Sequence, residues 1–124
     1  MATSEEQFLS LVRRHGLYLD RVHTIKGFYG DSLTPELQAE LLGKSRIAMA
    51  VVDCISYEAA RDVLRFIDPL LQKGAVLYMD DYYLFQGDPE RGEQRALTEF
   101  LAYSSHRLNP HLSVGWFGRS FIVY

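Results

Sequence analysis

The chain has 124 residues, 48% hydrophobic and 23% charged, with a formal net charge of −3. That length and balance suit one globular domain over 1–124 and argue against disorder, collagen and coiled coil. The mild negative charge gives no footprint for nucleic acid, the apolar runs fall far short of the ~20 residues of a membrane span, and the single cysteine, Cys54, forbids an internal disulfide. Met1-Ala-Thr-Ser-Glu-Glu lacks the basic and apolar regions of a secretory signal, so the expected location is cytoplasmic.

Ser4 with Gln7 three residues later forms a capping-box pattern, and Phe8, Leu9, Leu11 and Val12 follow at helical spacing. A helix is predicted over 5–15, stopped by Gly16. Val22 and Ile25 mark a short strand over 21–26. Thr34 and Pro35 open a second helix as cap and first residue. Ile47 to Val52 is continuously apolar, the pattern of a parallel strand buried on both faces, and it ends in Asp53.

Ala60, Val63, Leu64, Ile67, Leu70 and Leu71 place an amphipathic helix over Tyr57–Lys73, with Pro69 interrupting its end and Gly74 closing it. Ala75 to Met79 repeats the apolar strand and ends in Asp80-Asp81. A further helix is predicted over Arg91–Arg107, burying Ala96, Leu97, Phe100 and Leu101, and broken by Asn109-Pro110. Two β segments, 112–117 and 120–124, form a hairpin about Gly118-Arg119. Helices alternating with buried strands imply an α/β fold: a largely parallel sheet with helices on both faces and a closing antiparallel hairpin.

Ligands of open α/β sheets sit beyond the carboxyl ends of the strands. Asp53 lies at one such end and Asp80-Asp81 at the next. If the strands are neighbours, three carboxylates converge, and they need a positive charge among them. Hard oxygen donors of this kind suit Mg²⁺. The alternative is that each aspartate caps the helix that follows.

The run "VVDCISYEAARDVLRFIDPLLQKGAVLYMDDYY" followed by "GDPERGEQRALTEFL", with "VHTIKGFYGDSL" upstream, resembles the macrocin O-methyltransferase-like family of class I S-adenosylmethionine-dependent methyltransferases. The likeness runs from about Leu17 to Phe100. It implies a Rossmann-like methyltransferase fold and methyl transfer from S-adenosylmethionine to a sugar or similar small-molecule hydroxyl, assisted by Mg²⁺. By the resemblance, Asp53, Asp80 and Asp81 are the metal ligands, with Asp53 also the candidate base, and Tyr57 matches the motif tyrosine and is a candidate for substrate binding, the other reading being a first-turn helix aromatic packed on the sheet.

Two features depart from the family pattern. Ile55 stands where the family has a second aspartate. No glycine-rich turn precedes Asp53, so the family's cofactor-binding strand–helix–strand unit is not matched, and the expected fold is a truncated one. The strands that would separate 22–25 from 47–52 are likewise missing. An uncovered sheet edge exposes unpaired backbone groups, so either the 22–25 strand shifts to pair with 47–52 or a second copy covers the edge. A homodimer is expected. The second functional reading is a catalytically inactive remnant serving as a binding or dimerisation module.

Tyr82 and Tyr83 behind the acid pair are candidates for lining a substrate pocket, or interior aromatics. Cys54 reads as a small buried residue. His15, His23, His106 and His111 show no metal-ligand spacing.

Overall fold

A computed structural model describes residues 4–124; the leader reading over Met1–Thr3 lies outside the described residues. Helices α1 (Glu5–Arg14), α2 (Tyr29–Ser32) and α3 (Pro35–Leu42) precede strand β1 (Ile47–Val52). Helix α4 (Tyr57–Ile67), strand β2 (Leu71–Met79), helix α5 (Gly92–Tyr103) and strands β3 (Leu108–Val114) and β4 (Gly118–Val123) follow.

The start signals act as read. Ser4 Oγ accepts from the Gln7 N–H, and Gln7 Oε1 accepts from the Ser4 N–H, at 3.2 and 3.0 Å. Thr34 caps α3, with Pro35 in its first turn. Ser56 caps α4 by accepting from the Ala59 N–H at 3.2 Å. Ser56→Ala is expected to lower stability by about 1 kcal/mol, measured as a drop in urea midpoint with an unchanged slope.

The sheet runs β1-β2-β4-β3. Only the β1–β2 pair is parallel; β2–β4 and β3–β4 are antiparallel. The sheet is therefore mixed, not mostly parallel, because the closing hairpin inserts β4 beside β2 instead of adding only an outer strand. Helices α4 and α5 pack on one face: Ala60 and Leu64 from α4 and Ala96, Leu97 and Phe100 from α5 meet Val52, Ala75, Leu77, Met79, Phe121 and Val123. The expected helices on the second face are absent among the described residues. Met49 and Val51, which point to that face, are 62% and 58% exposed. The continuous apolarity of β1 therefore does not mark burial on both sides.

Four predicted elements change. The 21–26 strand does not form: Leu19–Arg21 is a 3-10 turn, and the chain then runs without regular pairing. A lone strand has no ladder to join, and the shift that would have paired it with β1 does not occur. The long helix stops at Ile67, since Asp68-Pro69-Leu70 tightens into a 3-10 turn and Leu71–Lys73 already belongs to β2. Helix α5 ends at Tyr103, and Asn109-Pro110 sits inside β3 at an irregularity between Pro110 and Ser113. The hairpin turns at Gly115, whose φ of +63° suits a residue without Cβ, three residues before the predicted Gly118-Arg119.

Candidate functional site

The parallel register sets β1 and β2 side by side through Val51↔Tyr78 and Val52↔Met79. The Asp80 N–H donates to the Val52 carbonyl at 2.9 Å, so the last ladder bond ties the two acidic ends together. Asp53 is exposed, while Asp80 and Asp81 are half-buried. None of them caps a helix: Ser56 caps α4, and α5 begins at Arg91 without a side-chain cap.

The residue that joins the two ends is Glu93, which the sequence reading passed over. Its side chain is 1% exposed. One carboxylate oxygen accepts from the Cys54 N–H at 3.2 Å, the other from the Asp81 N–H at 3.1 Å. Burial pushes its pKa up from 4.5 to about 7; the two N–H donors oppose the rise, and the charges of Asp81 and Asp53 add to it. Asp81 is raised too, first by burial and then by Asp53 and Asp80. The strand register and the two Glu93 hydrogen bonds bring four acids to one end of the sheet.

Tyr78 donates its O–H to Asp80 Oδ1 at 2.6 Å, and that bond is the main reason its own pKa is pushed up to about 12. Cys54 is buried, and burial raises its thiol. The pKa of the Tyr29 hydroxyl on α2 is raised, first by the neighbouring Cys54 thiol.

Tyr82 stacks edge-on against Tyr83 and Phe121, at 4.9 and 5.4 Å between ring centres. The Arg119 guanidinium donates to the Tyr83 hydroxyl. Both tyrosines thus stand directly behind Asp81, anchored to β4. Tyr57 goes elsewhere: its O–H donates to Glu99 at 2.6 Å, and its ring lies under Arg95 and Arg61. It links α4 to α5 and is not brought to the acids.

Among the described residues, no group of three or more His, Cys, Asp or Glu side chains is arranged to hold a metal ion. The carboxylate oxygens at the strand ends are of the kind a hard cation takes, but they are not arranged around one. A shallow groove of about 440 Å³ lies between α2, α3 and α4, lined by Tyr29, Gln38, Arg61 and Arg65 among others. No described helix is long and apolar enough to cross a membrane.

No protein-family model and no curated protein matches the chain. Among solved structures it is similar to the O-methyltransferase NovP, at 21% identity and a TM-score of 0.74 over 98% of this chain. It spans 45% of that chain, less than half its length. The fold is methyltransferase-like, an α/β fold on a four-stranded mixed sheet.

Proposed function

We propose that this chain is part of an S-adenosylmethionine-dependent, Mg²⁺-assisted O-methyltransferase acting on a sugar or another hydroxyl-bearing small molecule. The observation that carries the reading is the gathering of Asp53, Asp80, Asp81 and Glu93 at the carboxyl ends of a parallel strand pair, in a fold similar to that of an O-methyltransferase. Mg²⁺ keeps several waters and substrate oxygens in its shell beside its protein carboxylates. Asp53, Asp80 and Asp81 would hold it, and when bound it supplies the charge that lowers the pKa of a substrate hydroxyl.

The other roles belong to the chain itself. Tyr78 steadies Asp80 by its hydrogen bond, and Glu93 fixes the backbone at Cys54 and Asp81. Asp53, the exposed acid, takes the proton of the acceptor hydroxyl. The acceptor oxygen bonds to the methyl carbon while the methyl–sulfur bond breaks, and its electron pair stays on sulfur. Holding acceptor and donor in line supplies much of the rate. Tyr82 and Tyr83 line the acceptor side. The Tyr57 hydroxyl is held by Glu99, so any contact with the acceptor is through its ring. No residue of this chain is assigned to the methyl donor.

The second reading, a non-catalytic binding or dimerisation module, is supported by Ile55, 64% exposed, in place of an acid. Calorimetric titration separates the two. Binding heat with Mg²⁺ is expected from the native chain and lost in the Asp80→Asn, Asp81→Asn double variant. A native chain that gives neither heat nor thermal shift with Mg²⁺ or S-adenosylmethionine sinks the enzymatic reading.

A further inference from the structure

The two edges of the sheet are built differently. The β3 edge carries Pro110 and an irregular register, the usual devices against unwanted pairing. The β1 edge carries none: Ile47-Ala48-Met49-Ala50-Val51-Val52 contains no proline, no lysine and no charge.

The direction of its backbone groups follows from one bond. The Val52 carbonyl faces β2, where it accepts from the Asp80 N–H. Groups alternate along a strand, so the N–H and C=O of Met49 and Val51 face outward. Their side chains, 62% and 58% exposed, leave an apolar strip along the same edge. The strand is also polarised: exposed Arg46 precedes it, and exposed Asp53, with the half-buried Asp80 and Asp81, follows it. A parallel partner of the same kind would stack acid on acid.

We infer that the β1 edge is a self-association surface, where a second copy of this chain pairs antiparallel about a two-fold axis near Met49. A two-fold perpendicular to the sheet keeps each face continuous and sets Met49 opposite its own copy and Ile47 opposite Val51. The Arg46 end of each copy then lies beside the Asp53 end of the other, so the second copy brings a cation to the acidic strand ends. The two sheets become one of eight strands, and the apolar strip becomes central. This inference concerns the chain by itself: where further strands of a longer methyltransferase took the β1 edge, a second copy would have no place there, so the two readings are tested separately.

Sedimentation velocity over a wide concentration range tests it. The native chain is expected to be dimeric, and more weakly so as salt screens the terminal charges. Met49→Pro removes an outward N–H and leaves the β2 ladder intact, so it is expected to weaken the dimer at least about tenfold with an unchanged circular dichroism spectrum. Val51→Lys, which charges the edge, should do the same. The Val51 amide should exchange slowly in the native dimer and rapidly in either variant. A native chain that stays monomeric assigns the edge to a different chain and overturns the proposal. So does a dimer indifferent to salt, or one that survives both folded variants.

Discussion

Replacing Glu93 with alanine is expected to cost about 3–5 kcal/mol, among the largest single effects in this fold. The loss has two parts. The N–H groups of Cys54 and Asp81 lose their acceptor, and each orphaned buried donor costs about 1–3 kcal/mol. A side chain 1% exposed is also removed from the packed end of α5, leaving a cavity beneath the strand ends. Chemical denaturation of the two proteins measures the difference. A cost below about 1 kcal/mol would mean that the bridge does not hold the strand ends.

Glu93→Gln separates charge from shape. In the folded chain Glu93 keeps its proton up to about 7, against 4.5 ordinarily. Between those values the native state binds a proton that the unfolded chain has released. Stability from this group is therefore fully present below 4.5 and falls as pH rises through about 7. A displacement of that size corresponds to about 3 kcal/mol, and solvent screening at the open strand ends reduces its share to about 1–2 kcal/mol. Asp81, also raised, works in the same direction; Glu99, lowered by its hydrogen bond with Tyr57 and by Arg95, works in the opposite one. Comparing native and Glu93→Gln proteins at pH 5 and pH 7.5 cancels those other groups. The native protein should lose more stability on going to the higher pH, and an equal loss in both would reject the buried-acid account. The glutamine retains one acceptor, so at fixed pH the variant is milder than the alanine.

Glu93 also shows what the sequence held and how it was overlooked. It sits three, four and seven residues before Ala96, Leu97 and Phe100, within the buried stripe of α5. An acid on an apolar helical stripe is a signal by itself, because a buried carboxylate needs partners. The strand-end aspartates were legible because an apolar run ending in acid marks the carboxyl end of a strand in an α/β sheet, whether the acid binds a ligand or caps a helix. Their neighbourhood was not, since it depends on which strands pair. The same ignorance produced the strand over 21–26: Val22 and Ile25 have the right side chains, but a strand exists only with a partner. Pro69 marked a boundary, yet spacing alone assigned Leu71 to the helix, although it starts β2. Continuous apolarity in β1 reads as burial, whereas among the described residues no helical layer covers the second face of the sheet.

Gly118→Ala tests how the acidic end is supported from the far side of β2, and its expected cost is about 2–4 kcal/mol. The backbone of Gly118 is not in the left-handed region, so the effect is purely steric. A Cβ there would lie 2.2 Å from Tyr78 Oη and 2.8 Å from ring carbons Cε2 and Cζ. The tyrosine must move, and overpacking of this kind costs about 1–3 kcal/mol. Moving it also breaks the 2.6 Å bond to Asp80, which leaves that carboxylate without its donor. The two costs overlap, because one displacement causes both. A double-mutant cycle with Tyr78→Ala isolates them: with the ring gone, Gly118→Ala should cost less than about 0.5 kcal/mol. Tyr78→Phe removes the bond and keeps the ring, so Gly118→Ala in that background should still carry most of its steric cost. If the alanine is equally harmful without the ring, Tyr78 is not what the glycine makes room for. If it is harmless in the native background, Asp80 is not held by a tyrosine seated on β4.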